Sequence, residues 1–183
     1  MSRRFISKFL GNSNASAGAE MALMMPILFA LIFTTFEGGN YMWTEHKVLK
    51  GVRDGARYAA RLPFDYYSCT SPTLVTPTGI VTAATSDSPA TRETQIKNLT
   101  RTGQISGGGP KVSGWSDAQI DVTVSCNATY NQGLYSSVSG GAPVVTVRIN
   151  DNGVPYPSIL GLLGFDTSDL VVRARASAAV TGL

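Results

Sequence analysis

The sequence predicts an α+β protein in which a long N-terminal transmembrane and amphipathic helix precedes a small domain with an antiparallel β-sheet. An uncharged apolar run spans residues 21–36, a helical pattern continues from it to Leu62, and short alternating segments follow in the last third of the chain. We therefore divide the chain into a basic cytoplasmic leader, a transmembrane helix, an amphipathic extension and an extracytoplasmic α+β domain, at residues 1–18, 19–43, 44–62 and 63–183.

The composition leaves few other classes of protein open. A chain of 183 residues has room for one compact domain and an anchor. Its formal charge of +3 is small and its basic residues are scattered, so we expect no nucleic-acid partner.

The apolar run is long enough to cross a bilayer. A helix from Met21 to Trp43 spans about 34 Å, and a hydrocarbon core is about 30 Å thick. A buried helix of a soluble protein is disfavoured, because little of the remaining chain is apolar enough to cover it on every side. We therefore expect inner-membrane lipid around this helix.

The flanking residues predict the orientation of the span. Tyr41 and Trp43 at its far end suit the headgroup level of a bilayer. The residues before the span are basic, namely Arg3, Arg4 and Lys8, with no acidic residue before Glu20. This bias places the N-terminus in the cytoplasm and the chain beyond Trp43 outside it.

A cleaved secretory signal peptide is the main alternative, because it too has a basic start and an apolar core. The apolar run is longer than the usual 7 to 15 residues of such a core. No clear Ala-x-Ala site ends it, since it passes through Phe36-Glu37-Gly38 into a further helical pattern.

Beyond the span the helix is predicted to become amphipathic. Lys50, Asp54, Arg57 and Arg61 share one stripe, and a second stripe suits close packing against a domain or a neighbouring helix. Pro63 should end the helix, and Pro26 should bend it within the span. The predicted packing face consists of Val48, Val52, Gly55, Ala56 and Ala59.

Two carboxylates flank the span, where a charge is costly unless it is paired or hydrated. Glu37, in the membrane-exit motif Phe36-Glu37-Gly38, is either functional or simply exposed at the outer interface. Glu20 is the stronger functional candidate, because Lys8 or an amine of another subunit could supply its positive partner.

The rest of the chain predicts one short helix and three strands. Ser88 should cap a helix that begins at Pro89 and ends at Thr102 before Gly103. The apolar segment 155–165 is a loop or short helix that either packs over the sheet edge or binds a partner. The predicted strands are 119–126, 144–149 and 170–180.

Cys69 and Cys126 lie outside any zinc-binding spacing. A disulfide between them is the favoured interpretation in an oxidising compartment; two buried free thiols are the alternative. His46 has no nucleophile or metal-ligand motif near it, so we expect no enzyme, no metal and no cofactor.

Several short motifs together indicate a family. In order, they are Gly18-Ala19-Glu20-Met21-Ala22-Leu23, Pro26, Phe36-Glu37-Gly38 and Arg53-Asp54-Gly55-Ala56-Arg57-Tyr58-Ala59-Ala60. These residues resemble the TadE-like family, the minor pilins or pseudopilins of the tight-adherence (Flp, type IVb) pilus. The resemblance covers about the first third of the chain.

The resemblance implies a non-enzymatic role in pilus assembly, surface adhesion and biofilm formation. A prepilin peptidase and other Tad/Flp pilus subunits or assembly proteins would be its partners. Cleavage would fall between Ala15 and Ser16, with Gly11, Gly18 or no cleavage as alternatives, because Ala15 stands where the family has glycine. Glu20 would then neutralise the α-amine of an adjacent subunit. A membrane-tethered periplasmic binding domain unrelated to pili remains the second hypothesis.

Overall fold

The computed structural model describes residues 13–67, 89–138 and 140–182. The chain divides into two compact units, Met1–Asn40 and Tyr41–Leu183. Helix α1, Ser13–Ala60, begins in the first unit and ends in the second. Strands follow it in the second unit, so the predicted α+β fold class is confirmed.

The described part of the first unit is helical throughout. Helix α1 continues through Pro26, whose missing N–H removes one hydrogen bond of the helix. The hydroxyls of Thr34 and Thr35 donate to the carbonyl oxygens of Ala30 and Leu31 at 2.7 and 2.8 Å. These bonds satisfy both hydroxyls within the helix, as an apolar surrounding requires.

The end of α1 is close to its predicted position before Pro63. Its last carbonyl groups accept hydrogen bonds from the residues that follow, Arg61 N–H to Tyr58 and Leu62 N–H to Ala59, each at 3.1 Å. A proline cannot extend the helix, because it lacks the N–H that the next turn would need.

Helix α2, Pro89–Thr102, confirms the predicted short helix. Gly103 follows it with a φ of +86°, and its N–H donates to the Leu99 carbonyl oxygen at 2.8 Å. Glycine adopts this left-handed conformation without strain, which ends the helix. The predicted cap Ser88 lies outside the described residues.

An antiparallel sheet contains β1, Ile120–Asn127, β2, Ala142–Ile149, and β5, Arg175–Ala179. The order is β1-β2-β5, so β2 is central and most of its residues are buried. In β1, buried residues alternate with half-buried ones from Ile120 to Val124. The predicted half-buried strand is confirmed there.

The single strand predicted over 170–180 is wrong, because this segment forms two strands in different sheets. Val171–Val172 is β4, which pairs with β3, Val154–Pro155, whereas Arg175–Ala179 is β5 and pairs with β2. The chain changes partner at Ala174, whose carbonyl oxygen accepts a bond from Ile149 N–H at 2.9 Å. Apolar residues alternate without interruption across this change, so their pattern contains no sign of it.

The core of the second unit lies between the two helices and the sheet. One hydrophobic cluster contains the buried face of α1, Ile96 of α2, Trp115 of the following loop and buried residues of β1 and β2. The largest fully buried side chains include Val48, Val52, Trp115, Ile120, Val145, Val147, Val154, Val172 and Val180.

Candidate membrane anchor and assembly helix

Helix α1 presents an exposed apolar surface in the first unit. None of its most apolar stretch is buried, and α1 is the one helix among the described residues long and apolar enough to cross a membrane. Its exposed large side chains between residues 21 and 36 are Met21, Leu23, Met24, Met25, Ile27, Leu28, Phe29, Leu31, Ile32, Phe33 and Phe36. A patch of this size is costly in water and stable in lipid.

The residues of the predicted cleavage and pairing site lie at the start of this helix. Ala15 and Ser16 are in the first turn of α1, and Glu20 is exposed just before the apolar run. Cleavage before Ser16 and amine pairing by Glu20 stay predictions.

The membrane-exit motif lies on a largely exposed turn. Phe36 is 65% exposed and Glu37 is half-buried. A Cβ added to Gly38 would meet no atom of the described part of the chain within 4 Å, and the same holds for Gly39. Packing against the described residues therefore does not require glycine at either position.

In the second unit, the predicted packing face of α1 is buried. Val48, Val52 and Ala59 have no exposed surface and Ala56 is 2% exposed; Gly55 is buried as well. The face packs inside its own domain, which is one of the two contacts that the sequence left open.

Two glycines on this face allow α2 to approach closely. A Cβ on Gly55 would clash with the hydroxyl of Thr100, and one on Gly51 would clash with the Thr100 carbonyl oxygen and lie 2.8 Å from Trp115 Cη2. Thr100 is itself fully buried, so neither helix has room for a larger residue at these positions. Gly51 was not among the residues of the predicted packing face, although its four-residue spacing from Gly55 is the signal of such contacts.

Polar contacts join the end of α1 to the start of α2. Tyr58 Oη donates to Gln95 Oε1 at 3.0 Å, and Arg92 Nη1 donates to the same oxygen at 3.0 Å. The Arg92 guanidinium also lies 5.4 Å from the centre of the Tyr66 ring, a cation–π distance. Since Tyr58 contacts residue 95 and Gly51 contacts residue 100, the two helices run antiparallel.

Burial raises the pKa of Tyr67, which lies near the end of α1. Tyr67 Oη donates a hydrogen bond to the Ala59 carbonyl oxygen. Burial, and to a smaller extent the neighbouring Tyr58, raises the pKa of Tyr67 well above its usual range. The phenol therefore stays protonated and keeps donating at physiological pH.

The polar face of α1 affects one lysine of the loop after α2. Burial lowers the pKa of Lys111, with Asp54 opposing and Lys50 reinforcing the change. Because Asp54 and Lys50 belong to the predicted polar stripe, this stripe lies close enough to the loop to influence the pKa of Lys111.

The remaining sequence candidates lie away from the exposed part of α1. Cys126 is half-buried on β1 and is disulfide-bonded, while its predicted partner Cys69 lies outside the described residues, so their pairing stays a prediction. His46 is exposed on α1. Within the described ranges, no group of three or more His, Cys, Asp or Glu side chains could hold a metal ion.

A comparison with known protein families finds a match for the N-terminal segment. Residues 15–57 match the family model described as TadE-like protein, so this segment is TadE-like and suggests a protein associated with the Tad pilus. The match covers nearly all of α1 and stops before the sheet. No curated protein and no solved structure matches the chain.

Proposed function

We propose that this protein, whose residues 15–57 are TadE-like, is a membrane-anchored minor pilin or pseudopilin in the assembly of a Tad/Flp-type pilus for surface adhesion. It has a structural role and catalyses no reaction. Its N-terminus is cytoplasmic, its domain is extracytoplasmic, and its partners are the inner-membrane lipids, a prepilin peptidase and other pilus subunits.

One observation carries this proposal. The TadE-like segment coincides with a helix that is apolar and exposed over residues 21–36 but buried on one face over 48–60. The exposed part is free to contact lipid or the helices of other subunits. The buried part attaches the domain to the helix, so that the domain is carried wherever the helix assembles.

Glu20 supplies the proposed subunit contact. Its carboxylate lies at the edge of the apolar run, where an unpaired charge costs several kcal/mol. After cleavage before Ser16, the new α-amine of a neighbouring subunit is a cation of the right sign to pair with it. Such a pair would fix the axial register between subunits.

The first test is N-terminal sequencing and intact mass of the membrane-extracted protein, with and without the prepilin peptidase. We expect a peptidase-dependent N-terminus at Ser16. A new N-terminus beyond Gly38 would instead identify a signal peptide and remove the anchor. An uncut chain under both conditions would favour the tethered binding domain.

A second test separates assembly from insertion. Glu20→Ala should abolish incorporation into pili while the protein remains in the membrane fraction. Glu45→Ala is the matched control, because Glu45 is also an exposed glutamate of α1 but lies beyond the span. Normal pili in the Glu20→Ala strain would contradict the pairing role.

A further inference from the structure

The loop between β3 and β4 has an exposed apolar tip. Its ends are fixed by the β3–β4 pairing and by a bond from Tyr156 N–H to the Leu170 carbonyl oxygen at 3.0 Å. Between these ends the backbone forms a 3-10 helix, Leu160–Leu163. Phe165 is 63% exposed, and Ile159 and Leu170 are exposed too.

This loop begins beside the residue at which the second unit starts. The ring of Tyr156 lies 5.2 Å from that of Tyr41 in an edge-on contact, although Tyr156 itself is buried. Tyr41 lies five residues beyond Phe36, the last of the exposed large side chains at residues 21–36. The loop is therefore attached to the turn of α1 that is expected at the membrane surface.

Two further contacts of α1 lie beyond Tyr41 along the helix. Thr181 bonds to Ala60 at the end of the helix, and Thr100 lies against Gly51 and Gly55. Tyr41 is the first residue of this unit, so its contact with Tyr156 is made at the end of this part of α1 that is nearest to the span. The β3–β4 loop thus begins at the end of the domain where α1 enters it.

The chemistry of the loop suits lipid. From Val154 to Phe165 the chain contains no charged residue. On α1, Trp43 is 63% exposed and the Lys47 amine lies 5.3 Å from the centre of its ring. Positions 41 and 43 are roughly 200° apart around a helix. Aromatic residues therefore lie on two opposite sides of α1 at this level, which is typical of an interfacial belt.

We infer that the β3–β4 loop inserts Phe165 and its apolar neighbours into the outer headgroup region of the bilayer, as a second membrane contact beside the helical span. The contact depends on apolar side chains and not on charge. The charged residues nearest in sequence, Asp166 and Asp169, are acidic, so anionic lipid would not attract them. It would hold the domain against the membrane surface before assembly. This inference depends on the proposed anchor and goes beyond it.

The test uses the full chain in phosphatidylcholine vesicles whose acyl chains are brominated near the headgroup or near the bilayer centre. Phe165→Trp in a Trp43→Phe background reports on the loop, since the remaining Trp115 is buried. We expect shallow bromines to lower the added emission at least twofold, deep bromines to act less, and aqueous acrylamide to quench weakly. Leu170→Trp serves as a second reporter of the same loop.

Leu134→Trp in the same background is the matched control. Leu134 is 57% exposed, and its neighbour Tyr135 contacts Phe64 at 5.9 Å between ring centres. Phe64 lies beyond the end of α1, which is about 28 Å along the helix from Tyr41 at about 1.5 Å per residue. This reporter should be quenched by acrylamide and unaffected by brominated lipid.

The outcomes separate the loop from the anchor. If lipid quenches Trp43 of the unmodified chain but not Phe165→Trp, the loop inference is wrong and the anchor stands. Protection of Phe165→Trp from both quenchers would mean that protein covers it, which also overturns the inference. If brominated lipid at neither depth quenches Trp43, the proposed anchor fails and the loop contact fails with it.

Discussion

The backbone N–H of Thr181 donates a hydrogen bond of 2.8 Å to the carbonyl oxygen of Ala60, the last residue of α1. The Thr181 hydroxyl donates to the same oxygen at 3.2 Å, across a sequence separation of 121 residues. A helix leaves its last carbonyl groups without partners inside the helix. The C-terminal segment thus caps the helix whose other end is the proposed membrane anchor.

Replacing the cap donor should weaken the domain. Thr181→Pro removes the N–H, and we expect the free energy of unfolding to fall by about 1 to 3 kcal/mol, because the Ala60 carbonyl loses its partner. Urea unfolding of the full chain in detergent, followed by near-UV circular dichroism, measures this loss. Thr181→Ala keeps the N–H and should cost less than half as much; equal losses would contradict the role of the backbone bond.

The close approach of Gly55 and Thr100 predicts that a change at Thr100 should restore part of the stability lost by a change at Gly55. Gly55→Ala should destabilise the domain by about 1 to 3 kcal/mol, since the new methyl group clashes with the Thr100 hydroxyl. Adding Thr100→Ala removes the hydroxyl, so the double variant should lose less than the sum of the two single losses. A double-mutant cycle of unfolding free energies measures this coupling.

Gly51→Ala is the control for that cycle, because its methyl group meets the carbonyl oxygen of Thr100 rather than the side chain. Thr100→Ala should not rescue it. Gly39→Ala, in open space, should leave the domain's stability unchanged within about 0.5 kcal/mol. Similar rescue of Gly51→Ala and Gly55→Ala would refute the assigned geometry.

Tyr67 predicts a loss of stability in alkaline solution. Its pKa is raised by burial in the folded protein, whereas the unfolded phenol keeps its ordinary value of 10.0. Its stabilising contribution is fully present below pH 10 and decreases as pH rises above it, by up to about 1.4 kcal/mol per pH unit. Urea unfolding between pH 9 and 11.5 measures how the unfolding free energy changes with pH.

Tyr67→Phe should remove the contribution of Tyr67 to the pH dependence of the unfolding free energy. At neutral pH it should lower the unfolding free energy by about 1 kcal/mol, because the hydrogen bond to Ala59 is lost. Tyr130→Phe, a change to an exposed tyrosine, is the matched control and should leave the slope as in the unmodified chain. An unchanged slope in Tyr67→Phe would assign the alkaline effect to other groups.

The disulfide of Cys126 should connect to Cys69, the other of the two cysteines in the sequence. Peptide mapping without reductant is expected to recover one cross-linked peptide pair that contains both residues. Reduction should lower the unfolding free energy by about 2 to 4 kcal/mol, because the loop between the two cysteines is long. Recovery of Cys69 as a free thiol would exclude this pairing.

Local patterns were sufficient for the elements that depend on nearby residues. The limits of α2 follow from Pro89 and Gly103, because proline fixes the first turn and glycine adopts the left-handed conformation beyond the last. The buried stripe of α1 follows from its three- and four-residue spacing. The uncharged apolar run at residues 21–36 likewise predicted a helix long and apolar enough to cross a membrane.

Contacts between distant residues were not predictable in this way. The alternation over 170–180 is the same whether one strand or two is formed, so only the positions of β2 and β3 decide where the chain changes partner. The need for glycine at Gly51 arises from the Thr100 carbonyl, which a different helix supplies. The Tyr41–Tyr156 contact likewise joins residues that no local pattern relates.

By itself, the sequence determined that the chain has a long apolar helix, an amphipathic continuation and a strand-rich remainder, because hydrophobic periodicity and turn residues act over short distances. Only the tertiary structure decided that the small-residue face of α1 is covered by its own domain, that Thr181 caps Ala60, and that the β3–β4 loop lies beside Tyr41. Those features depend on which distant surfaces fit together, and that choice is made by packing and hydrogen bonding across the whole domain.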